Sequence, residues 1–442
     1  MLTLLPSLGA CGSWQRVGNE APEPSSERLP QVFDPTRVYR EMGLLTDAGP
    51  LGFVATTRVM AGPSADSLFL GVGVSLHNRG LTFRRDGDQF VAEYRVELSL
   101  RTETGLAALA ARDERVRVAS FRETQRSDES IIYQDFLTAA PGQYVLAVAV
   151  RDRNGTSAGR AETPITVPAL HPAAVSLPMA VYQATGRTAV ARPPQMVLNA
   201  RQSIEYGADS MRFYVETYGM AAGSRFVLTA VEASGREAWS DTVTADSGAV
   251  RGVVRAIPPE ALSIGRYELQ IRQRGQVMAA TPFVVTFSDQ YAVANLEDIV
   301  SLLRFFPSID SLRAVLRADP ADRPARWLSF WRASDPNPAT PEHEAIDEYL
   351  ARVRIANDQF TDEGGPGWLT ERGEVFISLG PPNEVFDRRA EQQIGRGRYI
   401  VWNYFEYRLV LTFIDDTGFG RFRLDPRSRA EFLRIRNQVR AG

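Results

Sequence analysis

The sequence contains no lysine. All 50 of its basic side chains are arginine, set against 53 Asp and Glu in 442 residues. The net charge of −3 lacks the basic excess that a phosphate backbone demands of its binders, so no nucleic-acid partner is expected. Cysteine is nearly absent as well. The single Cys11 excludes an internal disulfide and a thiolate metal cluster. Histidine occurs only at 77, 171 and 343, with no HxxxH or HExxH spacing. A histidine-based zinc site is therefore not expected, and neither is any other metal or a cofactor. No run of 18 apolar residues occurs that could span a bilayer.

What is present is ordinary globular material, 44% hydrophobic and 23% charged. The length suits about three domains. From 51 to 168 the pattern is all-β. Phe90, Ala92, Tyr94, Val96, Leu98 and Leu100 alternate with Val91, Glu93, Arg95, Glu97, Ser99 and Arg101, the period of a strand with one wet face. Further strands are expected at 52–60, 67–77, 115–124, 130–137, 143–151 and 161–167. Asp86-Gly87 and Asn154-Gly155 are expected as hairpin turns with positive φ. Asp86-Gly87-Asp88 lacks the spacing and distal Glu of a calcium loop, which leaves a plain turn.

A second all-β stretch runs from 175 to 288, after a linker marked by Pro168, Pro172 and Pro178. Gly142-Gln143-Tyr144-Val145-Leu146 is echoed by Gly265-Arg266-Tyr267-Glu268-Leu269, 123 residues later. A Gly-x-Tyr-x-Leu segment is common in a late strand of immunoglobulin-like folds. The expectation is two tandem Ig-like β-sandwiches.

Beyond 288 the period changes to that of helices. Val293, Leu296, Ile299, Val300 and Leu303 share one face, as do Leu312, Val315 and Leu316. Residues 289–363 are expected to form a helical connector. Trp327, Phe330 and Trp331 are expected as core rather than as a ligand-stacking platform. Thr340 is expected to cap a helix begun by Pro341. Ile346, Tyr349, Leu350, Val353, Ala356 and Phe360 would form its buried face, with Gly364-Gly365 as its stop.

Residues 364–384 read GGPGWLTERGEVFISLGPPNE. Gly367, Trp368, Thr370, Glu371, Arg372 and Gly373, then Gly380 and Pro382, closely resemble the defining motif of the GWxTD-domain family. Glu371 replaces its Asp. Phe330-Trp331, Asp335-Pro336, Pro338, Thr340, Glu344, Glu348-Tyr349, Arg352, Ala356-Asn357 and Phe360 resemble other recurrent positions of that family, and His343 stands where Asn is more usual. The resemblance covers about residues 300–425. It implies a fold but no catalytic mechanism. Within 364–442 an α+β module is expected, with strands at Glu374–Leu379, Tyr399–Tyr404, Tyr407–Asp415 and Gly420–Leu424. A final helix after Asp425-Pro426 would turn Phe432, Ile435 and Val439 inward. Glu391 through Arg398 is expected as a mobile polar loop. Leu379-Gly380-x-Pro382, Trp402-x-Tyr404, Leu411-x-Phe413 and Gly418 are also similar to small SmpA/OmlA-type lipoproteins of outer-membrane assembly.

At the other end, an apolar run leads to Leu8-Gly9-Ala10-Cys11, which matches a bacterial lipobox. Residues 1–11 are expected to be a lipoprotein signal, with Cys11 lipidated, and Gly12-Ser13 without a following Asp favours the outer membrane. Residues 12–50 are expected to be a tether. The leading functional expectation is an envelope lipoprotein, facing the periplasm or the surface, that binds a protein or polymer without catalysis. The second is an envelope hydrolase centred on Thr370, Glu371, Arg372 and Asn383, which requires a cleft beside Trp368 holding a buried Glu371. The third is an assembly accessory.

Overall fold

The computed structural model of the protein describes residues 36–124, 130–171, 173–206, 210–287, 296–319, 322–337, 343–360, 366–389, 398–416, 418 and 420–441. Cys11, Thr340, Pro341, Gly364, Gly365 and residues 390–397 lie outside them. The fold is mainly β, with helices in its C-terminal part.

The first unit holds β1 (Leu45–Asp47), β2 (Phe53–Ser64), β3 (Ser67–His77), β4 (Arg84–Asp86), β5 (Gln89–Thr102), β6 (Gly105–Val118), β7 (Ser130–Ala139), β8 (Gly142–Asp152) and β9 (Ala158–Val167). One sheet runs β1-β2-β3-β7, the other β4-β5-β8-β9 with β6 also on β5, all antiparallel. The two sheets share one apolar core, in which Ala92, Tyr94, Val96, Leu98 and Leu100 of β5 meet Leu68, Leu70, Val72, Val74 and Leu76 of β3. Their alternation buries one face of β5, while Glu93 and Arg95 pair outside with Arg115 and Asp113 of β6. The expected hairpin turn is present but shifted by one residue: Asp86 pairs with Gln89 and ends β4, and Gly87-Asp88 form the two-residue turn, with Gly87 at φ +66°.

Three expectations in this unit need correction. The strand expected at 115–124 stops at Val118, and α2 (Phe121–Thr124) follows. The Ser120-Glu123 pair turns the chain there: Ser120 Oγ accepts from the Glu123 N–H at 3.3 Å and donates to the Glu123 carboxylate at 2.8 Å, which also accepts from the Ala119 N–H at 3.3 Å. Asn154-Gly155 has no positive φ. Asn154 instead donates its side-chain amide to the carbonyls of Thr82 and Val91, and its own N–H goes to Asp152 Oδ1. Residues 36–50 are also not tether. They form α1 (Arg37–Glu41) and β1, and Val38, Tyr39 and Leu44 pack against Val54 and Val284.

The second unit holds β10 (Ala174–Val175), β11 (Met179–Thr185), β12 (Gln195–Leu198), β13 (Ser203–Glu205), β14 (Met211–Tyr218), β15 (Arg225–Glu232), β16 (Glu237–Thr244), β17 (Val250–Ile257), β18 (Gly265–Gln273) and β19 (Gln276–Thr286). Its sheets run β10-β14-β11-β12, with β17 on β14, and β13-β19-β18-β15-β16. Among the described residues of this unit, only the β13–β19 pairing is parallel. The Gly-x-Tyr-x-Leu echo has a matching geometry. Gly142 and Gly265 open β8 and β18, and each tyrosine hydroxyl donates to the carbonyl four residues upstream. Tyr144 reaches Ala140 at 2.9 Å, and Tyr267 reaches Ser263 at 3.0 Å.

β3 is buried on both faces because the β1-β2-β3-β7 sheet lies between its partner sheet and the second unit. Met60 and Phe69 pack on Met179, Val181, Met196, Leu198 and Tyr214 across this seam. A Cβ on Gly73 would sit 3.0 Å from that of Leu198. Gln134 of β7 bonds both ways with the second unit, to Met196 O and from Leu198 N. A buried ion pair joins Arg187 to Glu216 at 2.6 Å, and Arg187 also donates to Ala61 O across the seam.

The second unit and the described elements after it share one continuous core. α3 (Leu296–Leu302), α4 (Ile309–Arg317), α5 (Arg323–Ser334) and α6 (Glu344–Gln359) follow, and aromatic rings weld α5 to the second unit. Phe287, just past β19, lies edge-on to Trp327 at 5.5 Å and to Trp331 at 5.4 Å. Trp327 and Phe330 are buried, as expected of core. Ile346, Tyr349, Leu350, Val353, Ala356 and Phe360 are all buried too. α6 is capped by His343, whose Nδ1 accepts from the Ile346 N–H, and it ends at Gln359 with Phe360 as C-cap.

Candidate functional site

The motif residues gather where α6 meets the C-terminal module. Gly367–Leu369 forms a single 3₁₀ turn, and α7 (Glu371–Leu379) follows at once. The strand expected at Glu374–Leu379 is thus a helix. Thr370 decides it as N-cap: its Oγ1 accepts from the Gly373 N–H at 3.0 Å and donates to Gly367 O at 2.7 Å. Gly380, at φ +83°, ends the helix, and its N–H still reaches Phe376 O at 2.8 Å. A short apolar run between two turns has no period of its own, so the cap and the stop carry the information.

The two motif glycines are there because backbone runs against backbone. A Cβ on Gly367 would lie 2.2 Å from Ala356 O of α6, and one on Gly373 would lie 2.1 Å from Gly367 O. This contact brings Trp368 into the core, where it is 1% exposed. The Arg304 guanidinium covers its ring at 4.7 Å, and Phe305 stands edge-on at 6.4 Å. Burial lowers the pKa of Arg304.

The proposed acid–base residues diverge in their contacts. Glu371 sends Oε2 to the Leu424 N–H at 2.7 Å, and its Oε1 pairs with Arg429. It thereby bolts the start of α7 to β23 (Arg423–Leu424) and α8 (Pro426–Ala441). Arg372 is buried, with its guanidinium over the rings of Phe360 at 4.9 Å and Phe422 at 4.5 Å. Asn383 pairs with the hairpin of β21 (Arg398–Tyr404) and β22 (Leu409–Asp415): its N–H goes to Asn403 O, and Oδ1 accepts from the Phe405 N–H at 2.8 Å. The ring of Trp368 is buried beneath Arg304.

The remaining motif positions complete the packing. Trp402 lies 5.7 Å from Phe360 and 4.7 Å from Phe413. Tyr404 donates to Gly380 O at 3.0 Å, and burial raises its pKa. Pro382 precedes β20 (Glu384–Arg389), a strand the sequence reading did not expect, which pairs antiparallel with β21. Its exposed Val385 and Phe386 break the period-two signal. In α8, Phe432 and Ile435 are buried and Val439 packs beside them. Sequence reasoning missed Arg304, Arg429 and Phe422, which hold the motif from outside it; no local pattern marks them.

Among the described residues, no three His, Cys, Asp or Glu side chains converge as a metal site, and no helix is long and apolar enough to cross a membrane. No curated protein matches the chain. Among solved structures, it is similar to a biofilm associated protein BSP domain at 8% identity, over 52% of this chain and 51% of that one, with a TM-score of 0.17. It is similar to red sea bream transglutaminase at 10% identity, over 52% and 31%, and TM-score 0.17. It is also similar to a tetra-tandem repeat in the extending region of a large adhesion protein at 9% identity, over 54% and 71%, and TM-score 0.17. The chain spans about half the length of the first of these and about a third of the second. The model of the GWxTD domain family matches residues 267–406, from inside β18 to just past β21, and this chain carries a GWxTD domain.

Proposed function

We propose that the protein is an envelope lipoprotein, anchored through Cys11, whose β units and GWxTD domain form a binding scaffold without catalysis. One observation carries the scaffold half of this reading. The side chains that a hydrolase would need are engaged in holding elements together: Thr370 caps α7, Glu371 bolts it to Leu424 and Arg429, Arg372 is clamped between two rings, and Asn383 closes a hairpin. A nucleophile needs an adjacent, oriented base, and Thr370 spends its hydroxyl on the backbone. We read the first two units as Ig-like sandwiches, a reading supported by the matched tyrosine geometry at Tyr144 and Tyr267. The anchoring half rests on the sequence Leu8-Gly9-Ala10-Cys11. Acyl chains at Cys11 would hold the protein at the outer membrane at about 0.8 kcal/mol per buried CH₂.

Intact mass and membrane fractionation of the natively expressed protein, against Cys11→Ala, test this. An acyl increment with sedimentation that the variant loses is the expected result. An unmodified chain in the soluble fraction refutes the anchor.

A further inference from the structure

We propose that the cleft at the seam of the first two units binds an oxyanion, the carboxylate or phosphate group of a small ligand or of a lipid headgroup. The cleft has a volume of about 440 Å³ and lies between α1, the β1–β2 loop, the end of β3 and the turn that carries Arg201. That volume is within the range of small-ligand sites. The proposal stands apart from the lipoprotein reading, since a soluble anion needs no anchor.

Arg201 carries the argument. It lines the cleft, yet the residue is only 2% exposed. Its Nη2 donates to His77 Nε2 at 2.8 Å, and because a guanidinium offers no lone pair, that imidazole nitrogen must accept. Nε and Nη1 are buried and have no partner among the described residues, and no carboxylate there pairs with this cation. Ser75, 1% exposed and also lining the cleft, has a buried Oγ with no partner among them either. An uncompensated buried charge costs several kcal/mol, so a fold that keeps one gains from an anion within reach.

The surroundings point the same way. Arg79 stands exposed at the rim. Among the described residues, Asp47 is the one acid in the lining, and its Oδ2 accepts from the Gly49 N–H at 3.1 Å. Behind the cleft a second cation, Arg58, is buried. It shares Thr56 Oγ1 with Gln202, and burial lowers its pKa to about 10. Gln202 holds φ +51°, a conformation that L side chains rarely adopt, and the Asn199–Gln202 turn is pinned by Asn199 to Ser203 O and by Gln202 O to the Val284 N–H. Backbone strain kept by several bonds next to a cleft is a mark of a positioned group.

The test is titration calorimetry and thermal unfolding of the full chain with inorganic phosphate and with succinate, against chloride at equal ionic strength. Wild type is expected to release heat and to gain in Tm with at least one probe. Arg201→Met should weaken that binding roughly ten- to a hundredfold, the loss expected for charge-assisted hydrogen bonds. Without anion it should melt no lower than wild type, because an apolar residue replaces an unpaired charge. Should Arg201→Met fail to fold, Arg79→Ala at the exposed rim decides, with a several-fold loss expected. Vesicles of phosphatidylglycerol separate the two sources. Retention that Arg201→Met abolishes assigns a headgroup, and phosphate binding without retention assigns a soluble anion. No heat and no Tm change with either probe, or equal affinity in wild type and variants, overturns the proposal.

Discussion

Replacing Gly373 by alanine sets two effects of opposite sign against each other. Gly373 sits in the first turn of α7, where alanine normally gains about 1 kcal/mol over glycine. The added Cβ would lie 2.1 Å from Gly367 O and 2.9 Å from Trp368 Cα, inside the 3.0 Å that real Cβ atoms respect. Both neighbours are backbone and cannot swing aside, so the 3₁₀ turn must lift from α7. Overpacking of this kind costs typically 1–3 kcal/mol. The lift also loosens Trp368, a residue whose full loss from a core costs about 3–5 kcal/mol. The clash wins, and the net expectation is a destabilisation of about 2 kcal/mol. Urea unfolding followed by tryptophan fluorescence should show a lower midpoint, and amide exchange in α7 should speed up. Exchange is needed because a chain of several units need not unfold in one step. A midpoint unchanged or raised, with α7 still protected, would refute the close approach of the turn to the helix.

His343 should make stability depend on pH. It caps α6 by accepting at Nδ1, a role only the neutral ring can fill, and burial lowers its pKa. The unfolded chain therefore takes up the proton first, and stability is lost as pH falls from about 6.5 towards the lowered value, by at most about 1.4 kcal/mol per pH unit. His343→Asn keeps a capping acceptor and should flatten that part of the profile in thermal melts; a slope that persists would assign it elsewhere. At the seam, Glu216→Gln leaves Arg187 buried opposite a neutral amide and should cost about 3–5 kcal/mol in chemical denaturation. Arg187→Met with Glu216→Leu should cost less than that single change, and the reverse order would show that the pair adds net stability.

The β units were legible because their strands alternate. The run from Ala92 to Leu100 has period two, and every inward member of it is buried. The tyrosine echo was legible for the same reason, since a turn, a ring and an inward leucine are local. α7 was misread because Val375, Phe376 and Ile377 are all buried on a helix enclosed on several sides, which removes the period that separates helix from strand. Ser120 and Glu123 carry a Ser-x-x-Glu helix-start signature that could have been read, and the length of the preceding strand concealed it.

The sequence by itself determined the family motif, the period of most elements and the aromatic core, because these depend on neighbours within a turn or two. Tertiary structure alone decided what the motif residues contact. Gly367 answers to Ala356, Trp368 to Arg304, Glu371 to Leu424 and Arg429, and Arg372 to Phe422. Tertiary structure also put Arg201 beside His77, 124 residues away. Contacts between residues so far apart leave no spacing in one sequence to read, since they arise from packing of whole elements.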